Sequence, residues 1–471
     1  MENPPVLVQH FLFVTSPLHG HMNPVRCLAA RVAAANPSPR VTFSTAVSGH
    51  RLMFPSLASP DEEVVDGALL HVPYSDGFDE GFNPKVHDVR SYSTRARAVG
   101  CETLSGVVAR LAARGCPVTR VVYTFLVGWA LDVARAHGAR AVLYWIQPAT
   151  VFAVYYHYFH GHGAALASCA NDPGRDASVQ LPGLPPLKSK ALPSIVSITS
   201  PEQPYYTALT ALHDIFSALD EHRPKVLVNT FDALELDALR AVPQLELVAV
   251  GPVVRDEASS LSTSSFQREN AKECMDWLDT KAARSVVYVS FGSMLQLSKR
   301  QGLELQRGLK ATSRPYLWAR RGAEQEGQDA DLDETNGGAG REQGMVVEWC
   351  DQVRVLSHPA VGCFITHCGW NSALESITRG VPVVAVPQWT DQPTVACLVE
   401  ERAGVGVCTL VDGEGVVECA ELQRCVETVM GDSDRAVDIR ASVEQWREQA
   451  REAVAGGGMS ESNLRVFAFG L

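Results

Sequence analysis

The chain has 471 residues, 46% hydrophobic and 20% charged, which is typical of a soluble globular protein long enough to bury two cores. Its formal net charge of −12 argues against nucleic acids and anionic membranes as partners, because both bind basic surfaces. No apolar run approaches the ~20 residues that cross a bilayer, and the first one is too short for a signal peptide, so we expect no membrane insertion.

Strand-like apolar runs recur along both halves of the chain, with helical segments between them. In the first half they are FLFVTSP, VTFSTAV, ALLHVPY, RVVYT, AVLYW and KVLVNT. In the second half they are LVAVGPV, VVYVSF, YLWARR, MVVEW, CFIT and VPVVAVP. Strands that alternate with helices predict parallel sheets of the α/β class, and two such series predict two Rossmann-like domains.

The first strand is followed by a turn, SPLHGHMNP at residues 16–24, which opens a helix. Side chains in such a turn lie at the carboxyl edge of the sheet, where open α/β sheets bind ligands. His21 suits a general base there, because the unperturbed pKa of histidine lies near neutral pH. The alternative is a structural histidine that caps or packs the helix. His19 either lines the entrance for a substrate or is a solvated turn residue.

Three further runs carry weaker patterns. VFAVYYHYFHGH at residues 151–162 supplies aromatic side chains, among them Phe152 and Tyr155, that either line an apolar pocket or pack a helix against the sheet. FGSM ends a strand at a glycine turn, and Ser293 there is a candidate donor to a phosphate. DADLD at residues 329–333 superficially resembles a metal clamp, but it lies in an acidic, glycine-rich run and we interpret it as a solvated loop.

The most informative run covers residues 349–392 and can form a strand, a tight turn, a helix and a second strand. Unpaired N–H groups and a partial positive charge at the start of that helix suit a diphosphate. The run also supplies side chains for a nucleotide-sugar: donors to the diphosphate at His367, Asn371 and Ser372, an acceptor for ribose hydroxyls at Glu375, a flat face for the base at Trp349, and sugar contacts at Asp391 and Gln392.

Twelve cysteines without a secretory signal predict reduced thiols of a cytoplasmic protein. A zinc site is an alternative, because several candidate ligands lie close along the chain: Cys350, His358, Cys363, His367 and Cys368. Their spacing lacks the paired hooks of structural zinc sites, so we predict no metal ion.

The run at residues 349–392 resembles, almost position for position, the signature box of the plant secondary-product UDP-glycosyltransferases. The resemblance extends to QHFLFVTSPLHGHMNP, NTFDALELDALRAV and VVYVSFGSM, and so covers nearly the whole chain. It implies the GT-B fold, with two facing Rossmann-like domains and an active-site cleft between them. The expected domains are residues 1–247 for the acceptor, completed by a C-terminal helix at 448–471, and residues 248–447 for the UDP-sugar.

The resemblance also implies roles for individual residues. His21 matches the catalytic base of the family. Contacts to the UDP-sugar are expected from Ser293, Trp349, Cys350, Gln352, His367, Trp370, Asn371, Ser372, Glu375, Asp391 and Gln392. Gln392 favours glucose, since members that prefer galactose tend to carry His there. The acceptor is expected near His19, Gln147, Phe152 and Tyr155.

One departure from the family concerns the partner of His21. Most members place an Asp that orients the catalytic histidine in a run like V-V-Y-D-x-F-L-P-W-A, whereas this chain reads VVYTFLVGWA and has Thr124 there. A hydroxyl can orient an imidazole but cannot stabilise an imidazolium as a carboxylate does. Either another acid fills the role, or the acceptor is acidic enough to need little base. The run YWIQPATVFAVYYHY resembles a branch that includes enzymes acting on carboxylic acids, auxin-like acids and flavonoids.

The resemblance therefore implies an inverting transferase that needs neither metal nor cofactor. It would move glucose from UDP-glucose to a hydroxyl or carboxyl group of a small apolar plant metabolite, and we expect a cytoplasmic monomer. Two alternatives stay open. One is a UDP-sugar epimerase on the same fold, and the other is a catalytically weak or non-catalytic UDP-sugar-binding relative.

Overall fold

A computed structural model describes residues 9–36, 40–83, 85–172, 174, 176–203, 205–255, 265–292, 295, 297–320 and 343–469. The strands of the first half are β1 (His10–Thr15), β2 (Arg40–Thr45), β3 (Val64–Asp66), β4 (Leu69–His71), β5 (Arg120–Tyr123), β6 (Arg140–Trp145), β7 (Ser178–Val179), β8 (Leu187–Lys188), β9 (Lys225–Val228) and β10 (Leu247–Ala249). Eight of them form one sheet in the order β10-β9-β6-β5-β1-β2-β4-β3, and β7 pairs separately with β8. Within the large sheet only β3 runs antiparallel to its neighbour.

Helices cover both faces of this first sheet. They are α1 (His19–Ala35), α2 (Val47–Met53), α3 (Val89–Ala113), α4 (Ala130–Ala136), α5 (Ala149–His157), α6 (Gly163–Ala170), α7 (Tyr206–His222) and α8 (Asp232–Arg240). Side chains alternate across β1, so Phe11 and Phe13 pack in the core with α1, while Leu12 and Val14 pack in the core with α3 to α7. Burial on both faces explains why the strands read as continuous apolar runs.

The second sheet contains only strands from the second half of the chain. These are β11 (Val286–Ser290), β12 (Tyr316–Ala319), β13 (Gly344–Val347), β14 (Val361–Thr366), β15 (Val383–Ala385) and β16 (Gly406–Cys408). All pair in parallel, in the order β13-β12-β11-β14-β15-β16. The two parallel sheets confirm the predicted α/β class.

The remaining helices follow the second half of the chain. They are α9 (Ser265–Leu278), α10 (Lys299–Ala311), α11 (Gln352–Ser357), α12 (Trp370–Arg379), α13 (Gln392–Cys397), α14 (Cys419–Met430), α15 (Asp434–Val454) and α16 (Met459–Phe469). Within the described ranges, no helix has both the length and the apolar character that crossing a bilayer requires.

The chain returns to the first sheet at its last helix. Helix α15 stays with the second sheet, where the Trp446 indole donates to the carbonyl of Ala403 over 2.9 Å. Helix α16 packs beside α1, and its Phe467 ring lies 5.3 Å from the ring of Phe11. Asn463 also donates to the carbonyl of Ala249 at 2.8 Å. The return therefore takes place between α15 and α16, after residue 454 rather than at residue 448, and the division into two domains stays a prediction.

We expect Phe467→Ala to lower the free energy of unfolding by about 3–4 kcal/mol, because it removes a buried ring from the core. Phe469→Ala is the matched control, since Phe469 is 47% exposed and Phe467 only 4%. The control should change stability by no more than about 0.5 kcal/mol. Urea unfolding of both variants measures the difference, and equal losses would contradict this account of α16.

Candidate active site

A cavity of about 600 Å³ lies between the two sheets. One wall comes from residues that follow β1, β5 and β6, and the other from residues that follow β11, β13 and β14, so it lies at the carboxyl ends of both sets of strands. It brings together most of the side chains that the sequence singles out: His19, His21, Gln147, Tyr155, Trp349, Cys350, Gln352, His367, Trp370, Asn371, Ser372, Glu375, Asp391 and Gln392.

Among the remaining candidates, Phe152 does not line this cavity. Phe152 is fully buried, with its ring 5.2 Å from that of Trp145 and 5.1 Å from that of Phe216. These contacts place Phe152 in the core of the first sheet, which corrects its assignment to the acceptor pocket. Ser293 and residues 329–333 lie outside the described residues.

His21 lies in the first turn of α1 and faces the cavity beside the Phe125 ring, 5.0 Å away between centroids. Its Nδ1 is buried and has no hydrogen-bond partner among the described residues. Burial disfavours the charged form and lowers the pKa of His21 to about 3. The imidazole is therefore neutral at pH 7, and Nε2 is the nitrogen that can receive a proton from a ligand.

Thr124 follows β5 and is fully buried behind this turn. Its hydroxyl lies 3.5 Å from the hydroxyl of Thr15, and the described residues contain no hydrogen bond between Thr124 and His21. The position that most of the family fills with an orienting Asp therefore holds a hydroxyl directed to a neighbouring strand. An orienting role for Thr124 stays a prediction.

Helix α12 begins at the second wall of the cavity, directly after β14. Its N-cap, Gly369, offers no capping side chain, so the first backbone N–H groups remain available to an anion. His367 lies at this point between two glycines, because a Cβ at Gly292 or at Gly369 would come within 2.8 Å of the imidazole. Burial lowers the pKa of His367 to about 4, so it is a neutral donor at pH 7.

Asn371 already has a partner across the cavity. Its amide nitrogen donates to the carbonyl of Gly20 in α1 at 2.7 Å, while its amide oxygen is buried without a partner among the described residues. The sequence predicts Asn371 as a donor to a diphosphate. Because the amide nitrogen carries two N–H bonds, Asn371 keeps one donor for such a ligand while it contacts Gly20.

A hydrogen-bonded network follows along α11 and α12. The amide nitrogen of Gln352 donates to Glu375 at 2.7 Å and to the hydroxyl of Ser372 at 3.1 Å, while its oxygen accepts from Tyr288 at 3.3 Å. Tyr288 also lies 3.2 Å from the sulfur of Cys350. Glu375 thus presents a carboxylate that is oriented by its neighbours and still faces the cavity beside the half-buried ring of Trp349.

The opposite end of the cavity holds Asp391 and Gln392. Burial raises the pKa of Asp391 to about 6, which brings this carboxyl group close to neutral pH. The amide oxygen of Gln392 accepts from the backbone N–H groups of Gln388 and Trp389 at 2.9 and 3.1 Å, which leaves its amide nitrogen to donate to a ligand. The hydroxyl of Tyr155 is buried without a partner among the described residues. Burial, and then the charge of Asp391, raise the pKa of Tyr155.

The site is held in place by two residues that the sequence did not mark as functional, Asn229 and Glu235. The Trp370 indole donates to the carbonyl of Asn229 at 2.7 Å and so joins α12 to the first sheet. Buried Glu235 accepts from the N–H groups of Ala149 and Thr150 at 3.0 and 2.9 Å, at the start of α5. Asn229 and Glu235 belong to the run NTFDALELDALRAV. Their partners are distant in sequence, so no local pattern reveals these contacts.

Metal ligands are not grouped in the part of the chain that the structure describes: no three His, Cys, Asp or Glu side chains are arranged to hold an ion. Cys350, Cys363 and Cys368 are buried free thiols, and burial raises the pKa of each. All three cysteines pack in the apolar cores of the second half of the chain as small side chains.

Solved structures share this arrangement. Os79 from O. sativa in complex with UDP superimposes with a TM-score of 0.80 over 98% of this chain and 100% of its own, at 28% sequence identity. A UDP-glucosyltransferase from Polygonum tinctorium capable of glucosylating indoxyl reaches a TM-score of 0.79 over 100% and 99% of the two chains, at 25% identity. The fold is GT-B, as the sequence resemblance implied.

Sequence relatives cover almost the full length of the chain. UDP-glycosyltransferase 75C1 of Solanum lycopersicum is 43% identical over 97% of both chains. The chloroplastic crocetin glucosyltransferase of Gardenia jasminoides is 42% identical over 98% of this chain and 96% of its own. Phloretin 4'-O-glucosyltransferase of Malus domestica is 39% identical over 98% of both. A family model for UDP-glucoronosyl and UDP-glucosyl transferases matches residues 221–437, and with these relatives it shows that the chain belongs to that family.

Proposed function

We propose that this UDP-glycosyltransferase is an inverting enzyme that moves glucose from UDP-glucose to a hydroxyl or carboxyl group of a small apolar plant metabolite. The observation that carries the proposal is the cavity itself. The turn that contains His21 lies on one wall, and residues of the run 349–392 lie on the other. The names of the relatives support glucose as the sugar and small metabolites as acceptors. In this proposal residues 1–247 bind the acceptor and residues 248–447 bind the donor.

The donor would lie along the second wall. Trp349 would stack on uracil, with Gln352 and Glu375 at the ribose and the start of α12 with His367 at the diphosphate. Backbone N–H groups fixed in this way stabilise the charge that develops on the departing UDP, so the reaction would need no metal ion. Turnover should therefore persist in the presence of EDTA.

The sugar would lie between Asp391, Gln392 and Trp370, with its C1 towards His21. The acceptor oxygen would attack C1 from the face opposite UDP, which breaks the bond from C1 to the diphosphate and inverts the α-linkage to a β-glucoside. A hydroxyl acceptor passes its proton to Nε2 of His21. UDP leaves with the electron pair of the broken bond.

The environment of His21 favours acidic acceptors. A base whose pKa is lowered by burial takes a proton poorly, and no carboxylate stands beside Nδ1 among the described residues to stabilise the imidazolium. Phenols lose their proton more readily than alcohols, and a carboxylic acid is already ionised near neutral pH. We therefore propose a phenol or a carboxylate as the attacked group.

One experiment distinguishes the proposed transferase from the two alternatives, an epimerase and a non-catalytic UDP-sugar-binding protein. UDP release from UDP-glucose that requires an added phenol or acid is expected of a transferase. An epimerase would instead convert UDP-glucose to UDP-galactose without any acceptor, and a binding protein would do neither. Acceptor screening with UDP-glucose, followed by mass spectrometry of the products, distinguishes the three.

For the cellular setting we propose a cytoplasmic monomer. Twelve free cysteines support a reducing compartment. One relative is named as chloroplastic, so fractionation of a tagged protein between cytosol and chloroplasts tests the location. Size-exclusion chromatography with light scattering tests the monomer.

We expect His21→Ala to reduce transfer to a phenol by about 10²- to 10⁴-fold and to leave UDP affinity unchanged, because a general base acts only in the chemical step. His137→Ala, at an exposed histidine outside the cavity, is the control and should retain full activity. Steady-state kinetics and calorimetric titration with UDP measure the two effects. Wild-type rates in His21→Ala would exclude it as the base.

We expect Gln392→His to shift donor preference from UDP-glucose towards UDP-galactose by roughly ten- to a hundredfold in relative kcat/KM. The two sugars differ only in the direction of the C4 hydroxyl, and histidine cannot reproduce both backbone contacts of the Gln392 oxygen. Gln388→His is the control, because the Gln388 amide nitrogen donates to backbone carbonyls outside the sugar site. An unchanged ratio in Gln392→His would remove this residue from donor selection.

We expect Thr124→Asp to raise the ratio of phenol to carboxylate turnover. A carboxylate near His21 would stabilise the imidazolium formed with a hydroxyl acceptor, whereas it would repel an acceptor that is already anionic. Thr124→Asn has a similar shape without the charge and should leave the ratio level. Parallel kinetics with one phenol and one carboxylic acid of similar size measure it, and a falling ratio in folded Thr124→Asp would refute the orienting position.

A further inference from the structure

The first helix of the chain presents one permanent charge to the cavity. Along α1, His19 and Arg26 lie seven residues apart, which is about two helical turns, so both fall on the same face. Both line the cavity, together with Met22 and Asn23 between them. The stripe leads from the turn that holds His21 towards Asp66 in the edge strand β3.

The charge of Arg26 stands out against the rest of this wall. Among the described lining residues that precede residue 250, Arg26 is the only Arg, Lys, Asp or Glu. Its neighbours on the same wall are largely apolar, and include Leu52, Met53, Leu126, Ile195, Leu212 and Ile215. The acidic lining residues all lie on the opposite wall, which we assign to the donor. A cation in an otherwise apolar pocket is costly unless an anion meets it.

In this structure Arg26 forms a weak ion pair with Asp66. Asp66 accepts from one guanidinium nitrogen at 3.2 Å, and its side chain is 42% exposed while that of Arg26 is 21% exposed. Such partly exposed ion pairs contribute little to stability. His71, the other titratable group at this place, has its pKa lowered to about 3 by burial and then by Arg26, so it is neutral at pH 7. Arginine has five donors, so a second carboxylate can bind in a fork beside Asp66.

We propose that the acceptor carries an anionic group, separate from the oxygen that is glucosylated, and that Arg26 binds it. Five residues of helix separate Arg26 from His21, a rise of about 7.5 Å, so the two groups of the acceptor are well apart. Hydroxylated aromatic carboxylic acids have this chemistry: a phenol at His21, an apolar ring along the wall and a carboxylate at Arg26. The inference rests on the proposed function and names the substrate class for that same site.

Binding measurements test the proposal without depending on turnover. The probes are hydroxybenzoic, hydroxycinnamic and longer hydroxyaryl acids, each paired with its methyl ester, titrated calorimetrically into the protein with UDP bound. At least one acid should bind more tightly than its ester. Arg26→Gln should weaken that acid by about ten- to a hundredfold and leave the ester unchanged, because only the acid loses a charged hydrogen bond. Arg26→Lys keeps the charge and should restore part of the affinity.

Asp66→Asn is a second control, for which the expected change in affinity has the opposite sign. It removes the anion that competes for Arg26, so the acid should bind more tightly than to the wild type while the ester stays level. If every ester binds as well as its acid, or Arg26→Gln weakens both equally, the inference is overturned. A failure of the proposed function looks different: acids would bind through Arg26, but no glucoside would form with UDP-glucose.

Discussion

The segment at residues 229–235 joins the two halves of the site. At one end the carbonyl of Asn229 accepts from the Trp370 indole, and at the other the Glu235 carboxylate accepts three hydrogen bonds at the start of α5. Between them Phe231 packs in the core of the second sheet, with its ring 6.0 Å from that of Trp446. A buried carboxylate is costly without such partners, and the start of a helix favours negative charge. The segment therefore holds α5 and α12 in one arrangement.

The two histidines that are proposed to act in the reaction carry no positive charge at neutral pH. Both His21 and His367 have pKa values lowered by burial, so neither brings a positive charge to the donor at neutral pH. In the proposed function, attraction for the diphosphate would then come from backbone N–H groups at the start of α12, which are oriented before the sugar bond breaks. The burial of His21 makes a proton on its imidazole costly, and in the proposed mechanism this restricts the acceptors that can react.

Local patterns predicted much of the fold and part of the site. The run at residues 349–392 has its strand, turn and helix adjacent in sequence, so periodicity alone placed His367 at the start of α12. Contacts between distant segments were not predictable in this way. Phe152 lies in the core because it packs against Trp145 and Phe216. Asn371 donates to Gly20 on the other wall, and Glu235 accepts from the first N–H groups of α5, far upstream in the sequence. Such pairings depend on how the two sheets face each other, which no single run of residues encodes.

The return of α16 to the first sheet has a consequence for biosynthesis. A ribosome delivers β1 long before Phe467, yet the rings of Phe11 and Phe467 share one core. The first sheet thus emerges with part of its apolar face uncovered, and stays so while the whole second sheet is translated. Nascent chains expose that face to chaperones and to one another throughout this interval. The core of the first sheet is therefore completed only after the second sheet has been translated, even though its strands are made first.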